Sequence, residues 1–329
     1  MSKPTDRPAS QDTIDLDTDD PVVEFAQEVE AGLSERPMSL PCRFLYDQRG
    51  SELFEEICKL PEYYLTRTEA SILEENSSKI RELTGHVSLI ELGSGTSVKT
   101  DHLLTAYGNG DTKVRYIPVD VSESAIQVAA KSIEAKHPNV DVDGIVGTYE
   151  SAFPLFRQYS PSMVVFLGST IGNFRKVGSE QFWGQIEGSL DSEDFFLLGA
   201  DLVKDPDVLE AAYNDEAGVT AKFMKNMFAR INRELGADID LDQIEHVAEY
   251  NREQQQVELS AKFTSDQEVV IEPLDRSVFL SEGDTVLLEV SNKFVLDDLI
   301  AYAGDFGLET KQVFTDDERW FADLLMQKR

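Results

Sequence analysis

A strand that ends in closely spaced glycines can bring its backbone against a ligand where a side chain would clash. Ile90-Glu91-Leu92-Gly93-Ser94-Gly95-Thr96 has that form. In an open parallel sheet, the turn after such a strand lies at the carboxyl edge, where ligands bind. Asp120 closes the next apolar run, Val114 to Val119. An acid there is placed to accept hydrogen bonds from ribose hydroxyls. A plain tight turn is the competing reading of Gly93 and Gly95, and the acid ending the next strand favours a nucleoside ligand over it. A pyrophosphate binder carries a third glycine, where this chain has Val98. That substitution counts against a nicotinamide oxidoreductase and suits a phosphate-free ligand. The four histidines, His86, His102, His137 and His246, lack ligand spacing, so no metal site is expected.

The Glu91-x-Gly93-x-Gly95 turn resembles motif I of the S-adenosylmethionine-dependent methyltransferases. Longer stretches resemble one branch of them. Leu45-Tyr46-Asp47-Gln48-Arg49-Gly50-Ser51-Glu52-Leu53-Phe54-Glu55 and Leu60-Pro61-Glu62-Tyr63-Tyr64-Leu65-Thr66-Arg67-Thr68-Glu69 are similar to the N-terminal signature of the histidine-specific Nα-methyltransferases of ergothioneine biosynthesis. The resemblance continues through Pro118-Val119-Asp120-Val121-Ser122, Gly168-Ser169-Thr170-Ile171-Gly172-Asn173-Phe174, Tyr213-Asn214-Asp215 and Glu289-Val290-Ser291-Asn292-Lys293-Phe294. It covers nearly everything after the first twenty residues.

The resemblance implies an α/β protein, a Rossmann-like class I methyltransferase sheet with a second α+β substrate domain. It implies trimethylation of the α-amino group of L-histidine to hercynine, the first step of ergothioneine biosynthesis, with S-adenosyl-L-methionine as methyl donor. By position, Gly93, Gly95, Lys99, Asp120, Thr148 and Tyr149 match cofactor-binding residues. Tyr63, Asn173 and Tyr213 match residues that hold the amino and carboxylate ends of the substrate. Glu289 and Ser291 match the pair beside the imidazole, with Leu259 next to the ring. Tyr46, Phe54 and Gly168 match residues near the reacting amine, and Tyr46 is the catalytic candidate that hydrogen-bonds it. Two positions depart from the family pattern: Thr148 stands where many members have Asp, and Leu259 where Met is common. The second swap nearly conserves volume.

The residue types suit that chemistry. Asn173 and Tyr213 can donate to a carboxylate, Glu289 can accept from an imidazole N–H, and Ser291 can serve the other ring nitrogen as donor or acceptor. Aromatic faces such as Tyr46, Phe54 and Tyr63 attract a quaternary nitrogen by roughly 0.5–2 kcal/mol each. Each residue also has a plainer reading. Tyr63 and Phe54 could be core aromatics, Asn173 a turn residue, Tyr213 a packing residue and Lys99 a surface charge. An indole-type substrate offers a single ring donor, so the presence of both Glu289 and Ser291 favours histidine over another aromatic amino acid. A non-catalytic cofactor-binding module is the alternative of a different class.

The elements that must position these residues follow from apolar spacing. Val22, Val23, Phe25, Ala26, Val29 and Leu33 predict a helix over 21–33. A short helix is expected over 51–60 and a long one over 66–83, with Thr66 and Glu69 spaced as a capping box. Strands are expected at 87–92, 114–119, 140–146, 163–167 and 195–198, alternating with helices, which means a parallel sheet. From about residue 206 the rhythm breaks: a long helix over 208–235, then alternating strands near 245–250, 256–263 and 268–271. A helix at 294–302 and two strands at 308–314 and 320–326 close the chain. The expected division is a methyltransferase domain of 67–203 and 294–329, a substrate domain of 21–66 and 204–293, and a solvated acidic tail over 1–20.

Composition limits what else the protein does. With 30 Lys and Arg against 62 Asp and Glu, the formal charge is −32. That sign excludes a broad nucleic-acid binder and a polybasic membrane anchor. A hydrophobic content of 41% and 18 Phe oppose disorder of the whole chain. The acid is read as surface solubility in a saline cytoplasm. Cys42 and Cys58, with no apolar run at the N-terminus, suit unbridged thiols in the cytoplasm. A monomer acting on a small molecule is expected.

Overall fold

The computed structural model describes residues 14–15, 21–94, 99–109 and 113–329. Strands β1 (Ile14–Asp15), β2 (Ser88–Leu92), β3 (Val114–Asp120), β4 (Val140–Val142), β5 (Ile145–Val146), β6 (Ser162–Phe166) and β7 (Phe195–Asp201) precede β8 (Ile244–Asn251), β9 (Gln256–Phe263), β10 (Gln267–Ile271), β11 (Arg276–Leu280) and β12 (Thr285–Asn292); β13 (Leu308–Thr315) and β14 (Phe321–Lys328) follow. The helices are α1 (Pro21–Ser34), α2 (Gln48–Ile57), α3 (Leu65–Thr84), α4 (Thr100–Gly108), α5 (Glu123–Lys136), α6 (Tyr149–Ala152), α7 (Lys176–Ser189), α8 (Pro206–Tyr213), α9 (Val219–Leu235) and α10 (Leu296–Asp305).

The main sheet runs β1-β5-β3-β2-β6-β7-β14-β13, with β4 also beside β3. Its strands are parallel except β14, which is antiparallel to both β7 and β13. Every residue of β6 and of β7 is buried, the mark of a strand covered on both faces. Leu89, Val165 and Leu197 pack toward Ile72, Leu73 and Ile80 of α3 and Leu103 of α4. Ile90, Val164 and Phe196 face the other side, with Phe182, Trp183 and Ile186 of α7 and Leu299 of α10. The alternation is the period-two signature of strands. Chain order reverses across β2, which has β3 on one side and β6 on the other, so the crevice at its carboxyl end is where a ligand is expected.

Two smaller sheets stand apart from this one: β12-β9-β8 and the hairpin β10-β11. The buried face of β9 (Val257, Leu259, Ala261 and Phe263) lies against α8 and α9. The expected α/β sheet with its closing antiparallel pair and a second α+β unit is therefore present. No helix among the described residues is long and apolar enough to cross a membrane.

Several boundaries differ for identifiable reasons. The helix expected over 208–235 breaks into α8 and α9, because the Asp215 carboxylate accepts the Val219 and Thr220 N–H groups at 2.8 Å each and caps a new helix. The strand expected over 140–146 divides into β4 and β5. The capping box at Thr66 and Glu69 does not form: α3 starts at Leu65, and Glu69 turns inward to complete burial. Of the expected tail, Ile14 and Asp15 pair with β5; the rest lies outside the described residues.

Helix α2 begins three residues earlier than expected because Asp47 caps it, accepting the Gly50 N–H at 2.7 Å. Asp47 also accepts from Asn226 of α9, which ties the two helices together. Gly50 has no room for a side chain, since a Cβ there would lie 1.7 Å from the Leu45 carbonyl oxygen. Gly50→Ala should destabilise the protein by about 1–3 kcal/mol through forced backbone movement. Chemical denaturation checks this, and an unchanged midpoint would show that the 42–50 segment yields freely.

Candidate active site

The carboxyl ends of β2 and β3 bring together the residues assigned to the cofactor. Gly93 takes φ +66°, and its N–H donates to the Val119 carbonyl at 2.9 Å. A Cβ on Gly93 would sit 2.7 Å from the Tyr149 hydroxyl oxygen. The glycine lets the Tyr149 hydroxyl come close against the turn. Asp120 ends β3, and its carboxylate accepts the Ser122 N–H at 2.9 Å. Tyr149 packs edge-on to Phe166, ring centroids 5.5 Å apart. Thr148 caps α6 by accepting the Ser151 N–H at 3.3 Å. Gly95 lies outside the described residues.

Glu91 of the same motif is buried behind the sheet, where Thr100 and Tyr116 hydroxyls donate to it. Burial pushes its carboxyl up to about 7. Its position is structural: it anchors the start of α4 to β2 and β3.

Lys99 pairs with Glu69, which also accepts the Gly168 N–H at 2.8 and 2.9 Å. Gly168 takes φ +76° with Lys99 Nζ only 3.1 Å from where a Cβ would be. The turn after β6 is thereby held from α3 and the start of α4. On its other side, Asn292 donates to the Gly172 and Phe174 carbonyls at 2.6 and 2.9 Å. Asn173 sits between these two tethered residues, half-buried, at the end of the short turn Thr170–Asn173.

The substrate-assigned aromatics form one cluster. Tyr46 meets Phe54 at 5.5 Å and Phe223 at 5.3 Å; Phe54 meets Tyr63 at 6.2 Å; Tyr63 meets Tyr213 at 5.9 Å. Most are edge-to-face, the arrangement ring quadrupoles favour. They come from the segment before α2, from α2, from the loop before α3, and from α8 and α9.

The polar wall is β12. A register shift between Leu287 and Glu289 carries Glu289 opposite Leu259 and Ser291 opposite Val257. Cross-strand partners share a face, so Glu289 and Ser291 look toward the buried side of β9. Tyr213 reaches Ser291, oxygen to oxygen 2.8 Å. Lys293 donates to both hydroxyls at 2.8 Å and pairs with Asp201 at 2.8 Å. Glu289 makes no hydrogen bond with another described side chain. Burial pushes its carboxyl up to about 7, with Lys293 pulling the other way. Burial also raises the Tyr46 phenol well above its ordinary range, and Glu289 adds to that. Tyr46 therefore holds its proton.

The geometry thus gathers Tyr46, Phe54, Tyr63, Tyr213, Glu289, Ser291 and Leu259 in one cluster, and Gly93, Asp120 and Tyr149 in another. A model of the family described as histidine-specific methyltransferase, SAM-dependent, matches residues 25–328. The chain belongs to this family. It is 41% identical over 290 residues to the histidine N-alpha-methyltransferase of Mycolicibacterium smegmatis, covering 88% of this chain and 90% of that one. It is 39% identical over 291 residues to the histidine N-alpha-methyltransferase of Mycobacterium tuberculosis, covering 88% and 91%. Ergothioneine biosynthesis protein 1 of Neurospora crassa is 31% identical over 205 residues, 61% of this chain and 23% of that much longer protein.

A SAM-dependent methyltransferase must seat a nucleoside at this edge, and the residues present fit it. Gly93, at φ +66°, gives the turn a backbone no side chain obstructs, with the Tyr149 hydroxyl close by, and the Asp120 carboxylate stands at the neighbouring strand end. Sequence reasoning missed Glu69, Asp201 and Lys293. Glu69 was masked by its capping-box spacing, and Asp201 sits in an otherwise apolar strand, where an acid needs a partner. Lys293 lies inside a family motif whose flanking residues drew the attention.

For Glu289 the folded carboxyl, at about 7, lies above its ordinary 4.5. Its contribution to stability is complete below about 4.5 and is lost as pH rises through about 7. Without ligands, Glu289→Gln should therefore melt higher than the parent protein at pH ~8, with the gap closing toward pH ~5. A gap of the same size at both pH values would contradict the buried, raised carboxyl.

Proposed function

We propose that this protein methylates the α-amine of L-histidine three times with S-adenosyl-L-methionine, giving hercynine and opening the route to ergothioneine. The observation that carries the reading is the aromatic cluster standing beside an unpaired acid and a hydroxyl pair. Tyr46, Phe54, Tyr63 and Phe223 supply ring faces and edges where a nitrogen becomes quaternary. Glu289 and Ser291 supply polar atoms that match the two nitrogens of an imidazole. Tyr213 and Asn173 would hold the substrate carboxylate, each by donating a hydrogen bond to it.

S-adenosyl-L-methionine, when bound, supplies a methyl group already activated on a sulfonium. Gly93, Asp120 and Tyr149 would hold its nucleoside, and Gly95, Lys99 and Thr148 complete the assigned contacts. The protein's task is then orientation: holding amine, methyl and sulfur in line can be worth several kcal/mol. Glu69 contributes by fixing the Gly168 turn next to the reacting amine. Tyr46 hydrogen-bonds the amine and keeps its own proton. In this reading the cofactor lies on 67–203 with 294–329 and the substrate on 21–66 with 204–293.

A working monomer is part of the same reading. Cys42 and Cys58 are free thiols, which supports a cytoplasmic setting.

Purified protein incubated with L-histidine and cofactor should yield a product heavier by three methyl groups. Mass spectrometry showing an unchanged histidine pool, with turnover of a different amine, overturns the substrate assignment. Phe54→Ala should slow the last methylation more than the first, because the cation–π contribution of roughly 0.5–2 kcal/mol grows as the amine becomes a fixed cation. Dimethylhistidine should then accumulate. Uniform slowing of all three rounds would place Phe54 in packing alone.

A further inference from the structure

Lys293 is completely buried, and its ammonium has three protons and no lone pair. All three are committed: to Asp201, Tyr213 and Ser291, each at 2.8 Å. The Tyr213 and Ser291 oxygens are themselves 2.8 Å apart. Two hydroxyl oxygens that close need a hydrogen between them. Two hydroxyls carry two protons, one of which lies in that contact. A single O–H is therefore left to face a ligand.

The substrate has two claimants for that proton, its carboxylate and its ring. A hydrogen bond to an anion is about twice as strong as a neutral one, so the Tyr213 hydroxyl donates to the carboxylate. Ser291 must then donate to Tyr213. One of its lone pairs is filled by Lys293, and the other is free to accept. Glu289, which makes no hydrogen bond with another described side chain, lies on the same face of β12 as Ser291.

We propose that Lys293 sets the protonation state in which the imidazole is held: Ser291 accepts one ring N–H, and the other ring nitrogen shares a further proton with Glu289, taken up from solvent on binding. This rests on the histidine reading above. The bookkeeping is balanced: a neutral imidazole brings one N–H for Ser291, and solvent supplies the proton between the bare nitrogen and Glu289. Lys293 is a positioning residue, acting through the two hydroxyls. The charged and titratable groups facing it are Asp201, Lys204, Tyr64, Tyr213 and Tyr250, with Glu289 beyond. Around Glu289 stand Cys42, Tyr46 and Tyr63, all with burial-raised pKa values that keep them neutral.

Hercynine is the probe, because its trimethylammonium has no proton to lose. It is titrated calorimetrically into the protein saturated with S-adenosylhomocysteine at about pH 8, in buffers of different ionisation enthalpy. At that pH a free imidazole, with pKa about 6.5, is mostly unprotonated. Wild type should take up about one proton. Glu289→Gln, whose amide supplies its own donor, should bind with uptake near zero. Lys293→Met, which lets the hydroxyls part and both donate outward, should also lose the uptake. Lys204, pushed down to about 8 by burial, also titrates there but is untouched in Glu289→Gln; uptake persisting in that variant belongs to Lys204 and overturns the proposal. Zero uptake in wild type, or full uptake in Lys293→Met, overturns it too. If Lys293→Met does not fold, the wild-type and Glu289→Gln values decide. Failure of wild type to methylate L-histidine at all would be a failure of the functional reading, seen separately in the turnover assay.

Discussion

Asp201 is the atom-scale joint on which the pocket depends. It ends β7, fully buried, and its carboxylate meets Tyr64 from the start of α3, Lys204 from the following loop and Lys293 from the end of β12. Its backbone N–H donates to Ser169 Oγ at 2.9 Å, and its carbonyl accepts from Phe294 at 2.9 Å. One residue thus ties the Gly168 turn, the main sheet and the strand that carries Glu289 and Ser291. Two buried lysines share this one carboxylate. Burial pushes Lys204 down to about 8. Burial also pulls on Lys293, but Asp201 and the hydroxyls more than offset it and leave its pKa above the ordinary value. Such an ion cluster is poor value as stability, since desolvation can exceed the attraction. Its retention makes sense if its product is geometry.

That geometry reaches the ligand pocket through two small devices. The register shift in β12 turns Glu289 and Ser291 to the side where Leu259 and the α8–α9 helices lie; a shift of one residue in a strand exchanges its faces. The Gly168–Asn173 turn is gripped by Glu69 from one side and Asn292 from the other. Both devices use backbone groups, so they hold position without consuming the side chains assigned to the ligand. The pocket can then afford an unpaired acid, Glu289, whose cost is carried until a substrate arrives.

Much of this was readable from residue order. The parallel sheet, its closing antiparallel pair and the glycine turn at Gly93 followed from apolar runs and punctuation, because strands buried on both faces leave continuous apolar sequence. The aromatic and polar residues assigned to the ligands follow from long motifs. What was hidden depends on three-dimensional partners. Glu69 matched a capping pattern as well as it matched an inward anchor, and only the position of Gly168 distinguishes them. Gly50 lies inside the N-terminal motif, and its need for no side chain, set by the Leu45 carbonyl, has no sign in the sequence. Lys293 and Asp201 are far apart in the chain, and a buried ion pair of that separation has no local signature. The split between α8 and α9 turned on Asp215, whose carboxylate caps the second helix from within a stretch that reads as one continuous helix.

Paired titrations of Asp201→Asn with S-adenosylmethionine and with L-histidine test the central claim, that the buried cluster shapes the histidine pocket and leaves the nucleoside edge alone. Removing the charge should weaken histidine binding by about tenfold or more, the equivalent of at least ~1.4 kcal/mol. Cofactor affinity should stay within about twofold, since Gly93, Asp120 and Tyr149 lie in another cluster. Equal losses for both ligands, or an unchanged histidine affinity in a folded variant, would contradict the account.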